Sequence, residues 1–132
     1  MRVARSTSSG FTLVEILVAL AILAVVSATV LVVSQQVLNN LFRLEEKNFA
    51  TWIAGNRFVE IKLALPMLVS SREVREVDFA NRRWEVLSLI ENTESPGLQR
   101  VTIWVAVEPD NHFGPPIQQR AAAVLSGFLS RE

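Results

Sequence analysis

The feature that most constrains this chain is the stretch 16–33, an apolar run relieved only by Ser27 and Thr29. Between Phe11 and Val33 the one charged side chain is Glu15. As a helix rising about 1.5 Å per residue, 16–33 reaches roughly 27 Å and 11–33 roughly 34 Å, enough to cross a bilayer. Arg2, Arg5 and the α-amino group precede the run, so the positive-inside rule keeps 1–10 cytoplasmic and sends the C-terminal part outward. A cleaved secretory signal peptide also starts positive and then turns apolar. Its apolar core, however, is about 7–15 residues long and ends at a small-x-small site. This run is longer and offers only the Ser27-Ala28 region for cleavage. A plain signal anchor leaves Glu15 without a purpose, although a carboxylate in a span costs about 2.5–3.5 kcal/mol at the bilayer centre and less near its edge.

The rest of the inventory narrows the chemistry. The chain has 132 residues, room for one domain. Thirteen Lys and Arg balance thirteen Asp and Glu, so there is no basic excess for tracking phosphates. With no Cys, no Tyr and a single His, there is neither a thiol nucleophile nor a cysteine zinc site, and no catalytic constellation stands out. His112 with Glu108 and Asp110 reads as a solvated loop rather than a metal site, and Arg82-Arg83-Trp84 as a hairpin turn leading to a core Trp rather than a base-stacking platform. No catalytic, cofactor-binding or metal-ligating residue is assigned.

The helix should continue past the membrane. From Ser34 there is no Pro until Pro66 and no Gly except Gly55, and helix formers dominate. Leu38, Leu41, Phe49, Trp52, Val59 and Leu63 recur at steps of three and four or their sums, predicting one apolar stripe. Pro66 should end the helix, since the residue before a Pro leaves the α region. One rod of roughly 80 Å follows, half in lipid and half amphipathic, with Gly55 as a weak point. Its apolar face needs a sheet or neighbouring helices to cover it.

Downstream, the pattern changes to strands. Residues 72–80 and 83–91 read as strands joined by a tight turn at Asn81-Arg82, with Trp84, Val86, Ser88 and Ile90 on one face. Residues 92–97 form a loop. In 98–108, Val101, Ile103, Val105 and Val107 oppose Thr102, Trp104 and Ala106; with both faces apolar, this strand should be central. Residues 109–116 read as a loop, and 121–129 as an edge strand interrupted by Gly127, a short helix being the alternative.

Taken together, Gly10-Phe11-Thr12-Leu13-Val14-Glu15 after a short basic leader and before an apolar helix resembles the class III leader of type IV pilins and type II secretion pseudopilins. The resemblance implies that a prepilin peptidase cuts between Gly10 and Phe11 and methylates the new Phe11 amine. It also implies that Glu15 pairs with the N-terminal ammonium of a neighbouring subunit during filament assembly. An intramembrane carboxylate calls for a cationic partner in any case.

A second resemblance covers most of the chain. Leu44-Glu45-Glu46-Lys47, then Ala50-Thr51-Trp52-Ile53-Ala54-Gly55-Asn56-Arg57, then Glu60-Ile61-Lys62, is similar to the I-type minor pseudopilins of the type II secretion system. So are the short turn before Trp84, the alternating strand 101–105 and the closing Leu125-Ser126-Gly127-Phe128. One departure is Asn81, where relatives commonly have Gly; Asn tolerates the left-handed region. The loop 109–119 has no assigned counterpart.

These resemblances imply an α+β pilin-like fold, with one long N-terminal helix packed on an antiparallel sheet of three or four strands. They divide the chain into a leader (1–10), a transmembrane half-helix (11–33), an amphipathic periplasmic half-helix (34–64) and a periplasmic β domain (65–132). The implied role is a single-pass inner-membrane subunit that joins J-type and K-type minor pseudopilins at a filament tip, with other pseudopilins and the inner-membrane secretion platform as further partners, without cofactor or nucleic acid. Trp52, Asn56 and Val59 are then candidates for a subunit interface or for helix–sheet packing; Trp52 alone reads more naturally as core. A minor type IV pilin in adhesion, twitching or DNA uptake would carry the same leader, and an anchored periplasmic enzyme would need a polar pocket.

Overall fold

A computed structural model of the chain describes residues 10–64, 71–111 and 113–130. The leader residues 1–9, the expected helix stop at Pro66 and His112 lie outside them. In order come helix α1 (Leu13–Ala64), strands β1 (Ser71–Phe79), β2 (Arg82–Asn92) and β3 (Leu98–Val107), the short helix α2 (Ile117–Arg120) and strand β4 (Ala123–Ser130). The chain forms two compact units, 1–41 and 42–132, and α1 supplies residues to both.

In the first unit every described residue is exposed, including the apolar side chains of the run 16–33. An isolated helix in water cannot derive its stability from packing it does not have. These side chains are suited instead to hydrocarbon, where the helix satisfies its own backbone polar groups.

In the second unit, residues 42–64 of α1 lie on a four-stranded antiparallel sheet of order β1-β2-β3-β4. Hairpin-to-hairpin connectivity makes this the simplest antiparallel arrangement, and β2 and β3 occupy its middle. The core brings together Ala50, Ile53, Ala54 and Ile61 from the helix, Trp84, Val86 and Ile90 from β2, Val101, Ile103 and Val105 from β3, and Leu129 from β4. Alternation on β2 and β3 delivers one face to the helix, as expected from the period-two pattern.

The helix, however, is rotated from the expected orientation. It buries the face of Ala50, Ile53, Ala54 and Ile61, whereas Leu38, Leu41, Trp52, Val59 and Leu63 are exposed and Phe49 is half-buried. The two stripes have the same period, and the one with small residues lets the helix approach the large side chains of the sheet closely.

The first turn is also displaced. It centres on Ala80 and Asn81 at φ 51° and 58°, closed by the pair Phe79↔Arg82, rather than on Asn81-Arg82. Two successive positive φ values make a type I′ turn, whose twist matches the flanking strands. Ala80 is held in the left-handed region at a cost of about 1–2 kcal/mol. The indole Nε1 of Trp84 donates to the Phe79 carbonyl at 3.0 Å, fixing the hairpin end to the core.

Residues 123–130 form an edge strand through Gly127 without interruption. The loop after β3 contains the short α2, not foreseen from the sequence, which meets β2 and β3. Arg120 ties it down. Its guanidinium donates to the carbonyls of Val107 and Pro115 and forms an ion pair with Glu85. On the sheet face away from α1, Leu87 and Ala106 are buried and Trp104 is half-buried.

Candidate functional site

At the start of α1, Thr12 is the cap. Its Oγ1 accepts the N–H of Glu15 at 3.3 Å and its carbonyl accepts the N–H of Ile16 at 3.3 Å. Thr-x-x-Glu is the sequence of a capping box, so Thr12 and Glu15 have a local reason for their spacing. That role of Thr12 was legible in the sequence but overshadowed by the apolar run. Glu15 lies in the first turn, at the helix end where a negative charge is favoured. It lines a shallow apolar groove with Phe11, Ile16, Ala19, Leu20 and Leu23. Gly10 and Phe11 precede the helix and are exposed, with Phe11 at 81%. The structure thus gathers Phe11 and Glu15 at one helix end, where the carboxylate has apolar neighbours and no cationic partner among the described residues.

Trp52, Asn56 and Val59 sit far along α1 and are all exposed, Trp52 at 55% and Val59 at 52%. Trp52 is therefore not a core residue. It stacks on Phe79 of β1, ring centroids 4.7 Å apart and planes 23° from parallel, while Phe49 meets the same Phe79 edge-on at 5.4 Å. Trp52 and Asn56 also line a cleft of about 150 Å³ with Ile53, Val77 and Val86 as its floor. Trp52 thus packs at the edge of the helix–sheet contact, whose buried centre is supplied by Ala50, Ile53, Ala54 and Ile61.

Arg57, Glu60 and Arg75 also line that cleft, and with Glu73 they form a ring of four charges. Arg57 binds Glu60 at 2.9 Å and Glu73 at 2.6 Å, and Arg75 binds Glu60 at 3.2 Å and Glu73 at 3.1 Å. Arg57 also donates from Nε to the Oγ of the buried Ser88 at 3.2 Å. Its side chain is only 12% exposed, whereas the other three are about half exposed. Arg57 is thus the member for which the contacts matter, since the remainder are screened by water. Each half was readable locally: Arg57 and Glu60 are three apart on a helix, and Glu73 and Arg75 two apart on a strand. That the halves meet depends on how β1 docks against α1, which no local rule states.

Arg82-Arg83-Trp84 does not form a base-stacking platform. Trp84 is fully buried and its indole N–H is used, so it cannot stack on a base. Arg83 is engaged with Glu108 at 3.2 Å. Among the described residues no three His, Asp or Glu side chains are grouped to hold a metal ion.

Comparison with known proteins agrees with this geometry. The family model described as type II secretion system protein I matches residues 44–130. The prokaryotic N-terminal methylation motif matches residues 5–31, which include Gly10, Phe11 and Glu15. A type II secretion system protein I from Pseudomonas aeruginosa is 46% identical over 123 residues, covering 93% of this chain and 95% of the relative. Its counterpart from Escherichia coli is 36% identical over 113 residues, covering 86% and 90%. That from Klebsiella pneumoniae is 32% identical over 103 residues, covering 77% and 71%.

Proposed function

The chain belongs to the type II secretion system protein I family, the minor pseudopilins, and from that premise we propose that it is matured by a prepilin peptidase and built into the tip complex of a periplasmic pseudopilus. Cleavage falls between Gly10 and Phe11, and the new Phe11 amine is methylated. Glu15 receives the N-terminal ammonium of a neighbouring subunit within the bilayer. The partners are the J-type and K-type minor pseudopilins, and the assembled tip primes growth of the filament that drives folded proteins across the outer membrane. The apolar half of α1 stays in the inner membrane and residues 65–132 stand in the periplasm. The chain works by assembly, as a structural subunit.

One observation carries this reading: α1 presents a membrane-length apolar surface whose single charge, Glu15, sits at the end where peptidase cleavage would create a cation. In hydrocarbon a carboxylate and an ammonium are each costly alone and tolerable together. Pairing between subunits therefore favours insertion into a stack of identical helix ends over residence as a monomer. Glu15 also stands in the helical first turn, so its position is fixed before any neighbour arrives.

The test is a deletion of the chain in its native cell, complemented in trans. Release of exoproteins should stop while they accumulate folded in the periplasm, and complementation should restore it. Normal release in the deletion strain would rule the proposal out.

A further inference from the structure

We infer that β4 takes up one more strand, an uncharged extended segment of a different subunit of the assembly, running antiparallel along its open edge. This rests on the assembly role proposed above and adds to it a contact surface and the chemistry of what that surface holds.

The two edges of the sheet are built differently. β1, at one end of the strand order, carries Arg72, Glu73, Arg75, Glu76 and Asp78 among its nine residues. β4, at the other end, reads Ala-Val-Leu-Ser-Gly-Phe-Leu-Ser and carries no charge among its eight. It has no Pro, and its register with β3 runs one to one from Leu98↔Ser130 to Val105↔Ala123, without a bulge. Charges, Pro and bulges are the devices that keep an edge strand from pairing with other chains. β1 is guarded by the first of them and β4 by none.

The backbone of that edge selects the shape of its occupant. An edge strand turns the N–H and C=O of alternate residues away from its one neighbour. Among the described residues β4 pairs with β3 alone. The hydroxyl of Ser126 meets that of Thr102 on β3, at 3.5 Å, rather than covering the edge. An extended chain presents donors and acceptors at the matching repeat, whereas a helix has already used its own.

The side chains select the composition. Val124, Ser126 and Phe128 lie opposite Trp104, Thr102 and Arg100, on the sheet face away from α1. Val124 and Phe128 are each 56% exposed. The Arg100 guanidinium lies over the Phe128 ring, 5.4 Å from its centroid, so the ring loses little freedom when a neighbour covers it. A strand alongside gains by placing apolar side chains next to Val124 and Phe128 and loses by placing charges there.

Direction and identity follow from the order of the strands. β1 and β3 run one way, β2 and β4 the other. A neighbour of the same architecture, with its sheet turned the same way, therefore brings its first strand antiparallel to β4. Another copy of this chain in that position would bring the charges of β1 against an apolar edge. The partner is thus a different subunit, one whose edge strand is uncharged.

The test uses the full-length chain in detergent, alone and co-purified with the other pseudopilins from cells carrying the complete apparatus. Backbone hydrogen exchange is followed in 71–79 and 123–130. The outward amides of 123–130, about half of them, should exchange at least tenfold more slowly in the co-purified assembly than in the chain alone, with 71–79 unchanged. Ser126→Lys sets a charge at the middle of the edge, at an exposed position, and Ser126→Thr keeps that position uncharged. Both variants should unfold within a few degrees of the parent. Recovery with the other pseudopilins should fall at least tenfold for Lys and stay at the parental level for Thr. Equal exchange of 123–130 in the two settings would overturn the inference, and so would undiminished recovery of Ser126→Lys. Slow exchange of 123–130 in the chain alone, relieved by Ser126→Lys, would overturn it too, because a second copy would then hold the edge. If Ser126→Lys unfolds far below the parent, exchange in the parent decides alone. In each of these cases a deletion that still stops release leaves the secretion role standing, so the two ideas fail separately.

Discussion

Phe58 on α1 lies directly over Gly127 on β4: a Cβ at position 127 would stand 2.7 Å from Phe58 Cε2 and 2.8 Å from Cζ. With the edge strand this close beneath the helix, a side chain at residue 127 would force the Phe58 ring to move. Gly127→Ala should therefore destabilise the domain by about 1–3 kcal/mol, the range for overpacking a tight contact. The double variant with Phe58→Leu should recover part of that loss, because the obstructing ring is gone. Thermal unfolding of the pair, read as a double-mutant cycle, checks the coupling. Simple additivity would mean the contact is not the cause.

Arg57 ties α1 to both β1 and β2. It reaches Glu60, Glu73 and the buried hydroxyl of Ser88, with its side chain 12% exposed. Arg57→Met keeps the aliphatic stem but deletes the fork, leaving Ser88 Oγ and two carboxylates without it. A loss of about 1–3 kcal/mol is expected in the denaturant midpoint, as for a partly buried charge-assisted hydrogen bond. Arg83, paired at 3.2 Å with Glu108 but itself 56% exposed, makes the comparison. Arg83→Met should change stability by no more than about 0.5–1 kcal/mol.

Arg120 plays a different part, on the outer face of the sheet. Glu85 stands directly opposite Glu76 in the β1–β2 register, a like-charge pairing that on its own opposes the ladder. The Arg120 guanidinium answers the Glu85 charge while its other N–H groups hold the carbonyls of Val107 and Pro115. Arg120→Ala should cost about 2–3 kcal/mol, since it strands a carboxylate that is only 20% exposed. Adding Glu85→Gln to that variant should restore about half of the loss. Hydrogen exchange should also show earlier opening of residues 115–123 in the single variant.

The sequence was most informative where one side-chain pattern has one structural solution. The apolar run at 16–33 and the alternation of Val101, Ile103 and Val105 each left little choice, and the α+β architecture with β3 inside the sheet follows from them. It was least informative where two patterns share a period. Along 49–63, the stripe through Trp52, Val59 and Leu63 and the stripe through Ala50, Ile53, Ala54 and Ile61 both repeat every three or four residues. Size suggested the first as core, but the sheet already supplies Trp84 and Ile103, so small partners on the helix fill the space better. The turn moved by one residue for a comparable reason. Asn81 suits a left-handed position in either frame, and only the pairing of Phe79 with Arg82 decides that Ala80 must share it. The four-charge ring was hidden because its members come from elements whose docking is a tertiary fact.

Cleavage after Gly10 has a direct chemical signature. A peptidase that cuts after Gly10 must admit residue 10 in a confined pocket. Gly10→Ala should be cut normally or somewhat more slowly, and Gly10→Trp should leave residues 1–10 attached. Intact-mass measurement of the purified chain distinguishes the two, and the mature species should weigh about 14 Da more than the unmodified chain from Phe11 onward if one methyl group is added. Normal maturation of Gly10→Trp would remove the peptidase from the scheme.

Glu15 has two possible reasons to be where it is, and they respond differently to substitution. As part of the helix cap, what it contributes among the described contacts is its backbone N–H to Thr12 Oγ1, which every residue except Pro supplies. As an ionic partner in the bilayer, what counts is the carboxylate. Glu15→Val keeps the N–H, removes the charge and makes the span more apolar, so membrane insertion should be undiminished or better. Glu15→Gln keeps a polar acceptor of the same length but loses the charge. If the ammonium of a neighbour is the partner, both variants should insert normally and both should lose recovery with the other pseudopilins, on the order of tenfold or more. If the cap is what matters, both Glu15 variants keep the N–H and should behave like the parent, and Thr12→Val alone should falter. Quantitative co-purification from membranes, alongside carbonate extraction to score insertion, separates these outcomes.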